Sequence, residues 1–225
     1  MTKSLIFDAG PIINFAMNGM LYVLEDLHKE FKGDFLITKE VKKEIIDRPL
    51  EISRFELQAF QIKELFNKGV IKYADISPGQ VEELKKVRDE FTRIANSTFK
   101  TKKKYVHLID KGEAAALALS SILPDNPPLV VDERTTRMLC ENPINLKKLL
   151  EKKMHTSVKA HAENYSRFDK FKIIRSTELV YLAYKKGLFK IKDPRILEAA
   201  LYGVKFKGCS VSEKEVRDVI GWEKK

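Results

Sequence analysis

Short apolar blocks, each closed by a turn or cap residue, alternate along the chain with longer stretches whose apolar positions recur at three- and four-residue steps. Ser4–Phe7 reads as a buried strand running into Asp8-Ala9-Gly10-Pro11, a turn that must open a new element. Ile12, Ile13, Phe15, Ala16, Met20, Val23, Leu24 and Leu27 then follow at helical spacing and predict one helix that tolerates Gly19. A strand over 35–37 leads to Thr38, an N-cap residue for a helix that carries Val41, Ile45 and Ile46 and ends at Pro49. Ser53 and Glu56 form a capping-box pattern before Phe55, Ala59, Phe60, Ile62, Leu65 and Phe66, and Gly69 stops that helix ahead of a strand over 70–73.

Ser77-Pro78-Gly79-Gln80 opens another helix, with Val81, Leu84, Val87, Phe91 and Ile94 facing inward, and the pattern dissolves over 97–105. Asp110-Lys111-Gly112-Glu113 introduces an alanine-rich helix over 114–122 whose small side chains allow close approach of neighbours. A strand over 129–131 is followed by Asp132 as the first strand is by Asp8, and a helix then runs towards Cys140 and stops at Asn142-Pro143. Leu146, Leu149, Leu150, Met154, Val158 and Tyr165 predict a basic amphipathic helix or helix pair over 145–165. Beyond it come a strand over 172–174, a helix with Leu179, Leu182 and Ala183 closed by Gly187, a helix begun by Asp193-Pro194, and a last one capped by Ser212 and Glu215. Five short strands alternating with helices predict an α/β fold: a mainly parallel five-stranded sheet covered on both faces, in three α/β/α layers. The 225 residues suit one domain, and no internal repeat or flexible linker divides them.

Composition narrows the function. No apolar run approaches the roughly 20 residues of a membrane span, and the start of the chain lacks the apolar stretch of a secretory signal, so a cytoplasmic protein is expected. Cys140 and Cys209 have no metal-ligand spacing and are too sparse for a disulfide framework, so each is expected in the core or on the surface. The net charge is +10, and it is unevenly placed. Residues 85–111 and 145–175 each carry nine Lys/Arg against three Asp/Glu, which leaves the rest of the chain net −2. Lys100, Lys102, Lys103 and Lys104 in one stretch, and Lys147, Lys148, Lys152 and Lys153 in the other, are what contact with a phosphate backbone needs; solvated helix faces are the plainer reading.

The acids suggest the chemistry. In open α/β sheets, sites form beyond the carboxyl ends of strands where the strand order reverses. Asp8 and Asp132 stand at strand ends, Glu44 on the helix after the second strand, and Glu113 in the first turn of the alanine-rich helix. If the first and fourth strands are neighbours, the four converge. Clustered carboxylates repel one another unless a cation neutralises them, and hard oxygen ligands suit Mg²⁺ or Mn²⁺. Such an ion activates water and stabilises a leaving oxygen, which makes an acidic cleft useful against a polyanion. Each acid also has a local reading: an Asx-turn for Asp8, an N-cap for Asp132, a capping box with Asp110 for Glu113, and a lysine pair for Glu44.

Leu5-Ile6-Phe7-Asp8-Ala9-Gly10-Pro11-Ile12-Ile13, Val41-x-x-Glu44-Ile45, Gly112-Glu113 with the alanine-rich run after it, and Val130-Val131-Asp132-Glu133-x-x-x-Arg137 resemble, in order, the signature segments of PIN domains. The tail over 173–188 resembles the closing strand and helix of a subgroup common in prokaryotic genomes. The resemblance implies a Mg²⁺- or Mn²⁺-dependent nuclease, mostly acting on RNA, either a toxin of a toxin–antitoxin pair or an RNA-processing enzyme. It implies catalytic and metal-coordinating roles for Asp8, Glu44, Glu113 and Asp132, with Asp110 and Glu133 as second-shell or alternative acids. The chain departs from compact relatives by basic insertions at about 77–109 and 143–170, and by Ala9 and Gly10 where a small hydroxyl residue often stands. The expected partner is RNA, with DNA as a lesser alternative, and no membrane.

Competing chemistries fit less well. An aspartyl-nucleophile phosphatase wants a second acid two residues after the first, where Gly10 stands. No glycine-rich dinucleotide fingerprint follows the first strand, no serine sits in a nucleophile elbow, and His28, His107, His155 and His161 are scattered. The rival of a different class is a PIN-like module of weak or absent activity that binds nucleic acid or protein. The stripe from Leu146 to Tyr165 offers a docking surface for an antitoxin-like partner or a second subunit of a homodimer, against the plainer reading that it packs on its own domain.

Overall fold

The computed structural model of the chain describes residues 3–223. In chain order its strands are β1 (Ser4–Phe7), β2 (Asp34–Ile37), β3 (Lys72–Tyr73), β4 (Phe99–Lys100), β5 (Leu129–Val130), β6 (Lys159–Ala160) and β7 (Ile173–Ile174). Five of them form an all-parallel sheet in the order β3-β2-β1-β5-β7, while β4 and β6 make a separate antiparallel ribbon. From β1 the chain builds outward through β2 to β3, then crosses to the other side of β1 to lay down β5. The order therefore reverses between β1 and β5, whose register sets Ile6 opposite Leu129 and Phe7 opposite Val130.

Alternation along these strands divides the interior in two. Leu5, Phe7, Phe35, Ile37 and Val130 point to one face of the sheet and Ile6, Leu36, Leu129 and Val131 to the other, as a two-residue side-chain period requires. The first face is covered by α1 (Ala9–Met17), α2 (Leu21–Phe31), α4 (Glu56–Asn67), α9 (Ser176–Lys185), α10 (Ile196–Phe206) and α11 (Glu213–Trp222). The second is covered by α5 (Pro78–Thr98), α6 (Lys111–Ile122), α7 (Arg134–Glu141) and α8 (Pro143–Met154). Between β2 and α4 the chain makes α3 (Lys39–Lys42), a π-turn over Lys43–Asp47 and a 3-10 turn over Pro49–Glu51. This is the expected α/β/α arrangement, and its five sheet strands are the five read from the sequence.

Three local expectations are corrected. The single helix over 12–27 is two helices: Gly19 adopts φ +66°, and Met20 N–H closes back on the Phe15 carbonyl at 2.8 Å, so the chain turns between α1 and α2. A left-handed glycine ends a helix more cheaply than any other residue. The Ser53/Glu56 capping box does not form; Phe55 stands at the N-cap of α4 with no side-chain cap, and Phe55 and Phe60 are exposed. The helix over 145–165 ends at Met154, where His155 is left-handed at φ 50°, and the rest of the segment supplies β6 and a 3-10 turn over Ala162–Arg167. Its apolar stripe is turned inward: Leu146, Leu150 and Val158 are buried in the second core. The stripe thus packs on its own domain, the plainer of the two readings of it.

The predicted insertions are integral to the fold. Phe91, Ile94, Ala95 and Phe99 from the first, with Leu146, Leu150 and Phe168 from the second, make up much of the core on α6. Full burial of each large side chain is worth roughly 1.5–3 kcal/mol.

Candidate active site

The carboxyl ends of β1 and β5 lie side by side, and Asp8 N–H donates to the Val130 carbonyl at 3.0 Å across them. Asp8 is the N-cap residue of α1, and its side chain makes no full capping hydrogen bond. It is almost wholly buried. Burial pushes its pKa up to about 7, with Glu44 and Asp110 adding repulsion; the amides of Ala9 and Gly10 face it and pull the other way.

Glu44 reaches this pocket from the π-turn, where Arg48 N–H closes on the Lys43 carbonyl at 2.9 Å. A π-turn widens a helix by one residue and re-aims the side chains it carries. Partial burial and the charge of Asp110 raise the Glu44 pKa, and Arg48 opposes them. Glu113 comes from the first turn of α6. Its Oε2 accepts from Asp110 N–H at 2.9 Å and Asp110 Oδ1 accepts from Glu113 N–H at 3.0 Å, so the capping box forms in full. The other oxygen, Oε1, accepts from the Thr136 hydroxyl on α7. Burial lifts the Glu113 pKa to about 8, against those hydrogen bonds and with repulsion from Asp8 and Asp110.

Asp8 at the start of α1, Glu44 in the π-turn, and Asp110 and Glu113 at the start of α6 thus come from three elements, and Asp8 and Asp110 repel both glutamates. Two glycines stand next to these acids. A side chain at position 112 would meet Asp110 Oδ1 at 3.3 Å and Glu44 Oε2 at 3.5 Å, and one at position 10 would meet Asp132 Cβ at 3.7 Å and Asp8 Oδ2 at 3.8 Å.

Asp132, at the end of β5, has its carboxylate held by donors from α1 and α9. Its Oδ1 accepts from Ser176 N–H at 2.8 Å, and its Oδ2 accepts from Ser176 Oγ at 2.6 Å and from the Asn14 side-chain amide. It therefore caps α9 from a distance and ties α1 to it, while the residue capping its own helix, α7, is Glu133, which accepts from Thr135 N–H at 3.2 Å. Glu133 is exposed. Among the described residues, no three His, Cys, Asp or Glu side chains are grouped to hold a metal ion as they stand. The donor chemistry still fits a hard divalent cation: the carboxylates of Asp8 and Glu113 are buried with raised pKa, and Glu44 and Asp110 lie beside them.

Sequence reading missed the groups that position these acids. Asn14 is a polar residue on the buried stripe of α1, Thr136 lies four residues after Asp132, and Ser176 opens α9; all are almost fully buried. Asn96 clasps the segment before α6, its Oδ1 accepting from Leu108 N–H at 2.6 Å and Ile109 N–H at 3.2 Å and its Nδ2 donating to the Ile109 carbonyl at 3.0 Å. A polar residue at an inward-facing helical position was the available signal for Asn14 and Asn96.

The predicted basic residues divide into two surfaces. Lys100, Lys102, Lys103 and Lys104 are exposed on β4 and the turn after it. Lys148 and Lys152 line a groove of about 490 Å³ with Arg134, Arg137 and Asn145. Lys147 is half-buried and lies 3.9 Å from Glu151, and Lys153 is exposed. Both cysteines are buried, and burial pushes the Cys140 thiol up to about 12, which makes them inert core residues. No helix among the described residues is long and apolar enough to cross a membrane. Comparison with family models, with curated proteins and with solved structures finds no match.

Proposed function

We propose that the chain is a divalent-metal-dependent endoribonuclease of the PIN-domain kind, with Asp8, Glu44 and Glu113 as its metal-holding acids. The supporting observation is that Asp8 and Glu113 are buried and, with the exposed Glu44 and Asp110, stand within range of mutual repulsion at the point where the strand order reverses. Acids with strongly raised pKa cluster at functional sites, and a cation removes the repulsion.

Bound Mg²⁺ or Mn²⁺ would supply an activated water and charge stabilisation at a phosphodiester. The chain's own residues do the rest. Thr136 and the Asp110 amide orient the Glu113 carboxylate from both sides, leaving it little rotational freedom. Asp132 acts here as a positioning residue, holding α1 and α9 at the pocket rim, which departs from its expected role as a ligand. The exposed lysines of β4 and the groove between α7 and α8 offer cations to a polyanion that reaches the acids.

The test is cleavage of a labelled RNA by the purified chain with Mn²⁺ or Mg²⁺, its arrest by chelator, and its loss in Asp8→Asn with the fold retained by circular dichroism. Absence of metal-dependent cleavage, together with no Mn²⁺-induced rise in melting temperature, would sink the reading. A second reading, a nucleic-acid-binding module of weak activity, is favoured by the engagement of both Asp132 oxygens and by the lack of a ready three-ligand group. Binding of RNA that persists in chelator, with no cleavage, would select it.

A further inference from the structure

The two basic segments, some sixty residues apart, meet in a ribbon that the nuclease reading does not require. In it Lys100 of β4 stands opposite Lys159 of β6. Between β4 and Tyr105 the chain makes a tight turn, with Thr101 N–H donating to the Lys104 carbonyl at 2.9 Å and Thr101 Oγ1 accepting from Lys104 N–H at 3.1 Å. Thr101 is buried, so Lys102, Lys103 and Lys104 are held outward by a fixed loop. The base of the ribbon is anchored to the end of α5, where His161 N–H donates to the Thr98 carbonyl at 2.8 Å.

An aromatic pair sits among these cations. Tyr105 is 46% exposed, the His161 ring lies 6.2 Å from it, and the Lys100 ammonium stands 5.0 Å from the Tyr105 ring centre. Glu163 is the acid nearest this pair, 3.2 Å from His161 Nδ1. An exposed ring with Lys100 against it, and four more lysines on the same ribbon and its turn, match the requirements of an unpaired polynucleotide: ammonium groups for phosphates, and a flat apolar face for a base that no partner strand covers. A duplex hides its base faces and has no use for the ring. Tyr105 and Asp110 are five positions apart in the chain, so at most about 18 Å separates the ribbon's aromatic from the first of the acids.

We infer that the β4–β6 ribbon is a binding platform for single-stranded nucleic acid, with Tyr105 stacking a base and Lys100, Lys102, Lys103, Lys104 and Lys159 holding the adjoining phosphates. The inference rests on the nuclease reading only in that the strand held there feeds the acidic pocket. The platform is separable from the chemistry because it contains none of the pocket's acids.

Fluorescence anisotropy of a labelled 12-nucleotide single-stranded RNA, and of the same sequence as a duplex, is measured with the full chain in excess chelator. Tyr105→Ala weakens single-strand binding by on the order of tenfold while duplex binding changes less than twofold, and Tyr105→Phe binds as the parent does. Lys159→Gln weakens both and lowers the slope of log affinity against log salt by about 0.7 for the single strand. Unchanged single-strand affinity in Tyr105→Ala, or equal loss on both probes, overturns the platform. Because no metal is present, tight stacking-dependent binding without cleavage on adding Mn²⁺ would remove the nuclease reading and leave the platform standing. Cleavage with no effect of Tyr105→Ala on binding would do the reverse.

Discussion

The Thr136 hydroxyl on α7 donates a hydrogen bond to Glu113 Oε1 on α6, joining two helices through a buried acid. With Asp110 N–H on the other oxygen, Glu113 has a partner at each end of its carboxylate. Thr136→Val keeps the shape and removes the donor. We expect a loss of about 1–3 kcal/mol in urea unfolding at pH 9, where the carboxylate is ionised, with a smaller loss at pH 5. Mn²⁺-dependent cleavage falls at least tenfold. An equal stability loss at both pH values would show that the hydroxyl serves packing alone.

The raised pKa values of Asp8 and Glu113 set a sign for the pH dependence of the metal-free protein. A folded-state pKa above the unfolded value means that the folded state binds more protons. The resulting penalty is absent below the ordinary values of 3.8 and 4.5, grows as pH rises, and is complete above about 8. Stability from these two groups therefore falls between about pH 4 and pH 8. Asp8→Asn and Glu113→Gln each raise the melting temperature at pH 8.5 and give no gain at pH 4, with an effect on the order of 2 kcal/mol at high pH. Mn²⁺ stabilises the parent protein at pH 8.5 and does so less in either variant. A melting temperature that climbs from pH 4 to pH 8 in chelator, with no gain from the two substitutions, contradicts this account.

How much of this was legible beforehand depends on whether a feature is local. All five sheet strands could be read because each is a short apolar block bounded by caps, and the pairing of the first with the fourth was the step that placed Asp8 near Asp132. The Asp110/Glu113 box is a signal three residues apart and forms, so the local reading of Glu113 holds. What escaped was long-range. No spacing rule brings residue 99 to residue 160, and without that ribbon the segment over 145–165 looks helical throughout. Asp132 shows the same limit: strand-end placement was right, but the donors that hold it, Asn14 and Ser176, lie 118 and 44 residues distant.

Gly112 tests whether the space among the acids matters. It is helical and buried, and only its missing Cβ lies near Asp110 and Glu44. Alanine is the better helix former, by up to about 1 kcal/mol, and the 3.3 Å contact offsets part of that gain. Gly112→Ala is thus expected to unfold at the same urea concentration or slightly higher, while its Mn²⁺ affinity by calorimetry drops at least fivefold. Metal affinity equal to the parent would mean that the cation is held elsewhere.

Arg175 bridges the sheet edge to the last helix, with Nη1 2.7 Å from Glu215 Oε1 and Nη2 2.6 Å from Glu178 Oε1. Burial pushes the Glu215 carboxyl up, but hydrogen bonds from Arg175 and from Ser212 outweigh it and hold the pKa at about 2. A depressed acid pKa contributes stability above the unfolded value of 4.5 and loses it as pH falls towards 2. Glu215 is 42% exposed, so solvent screening limits the pair to about 1 kcal/mol at neutral pH. Glu215→Gln is less stable than the parent at pH 7 by that amount, and the two converge near pH 2. A constant difference across that range would assign the effect to the capping of α11 by Ser212 and not to charge.

Asn96 controls the approach to the pocket from a distance. Its amide satisfies three backbone groups in the two residues before Asp110, so the start of α6 is set by a side chain on α5. Asn96→Leu strands those groups in a partly buried place and costs about 2–3 kcal/mol in chemical unfolding. Asn96→Asp keeps both acceptor bonds and loses only the donor, so its stability falls between the two. Because the clasp fixes where Asp110 and Glu113 begin, cleavage follows the same order at a temperature where all three proteins are folded. The rate on RNA falls most for the leucine variant through a weaker apparent affinity for Mn²⁺, and saturating Mn²⁺ restores much of it. A rate loss that saturating metal leaves untouched would place the effect of Asn96 on the lysine ribbon, which follows the same helix, and not on the acids.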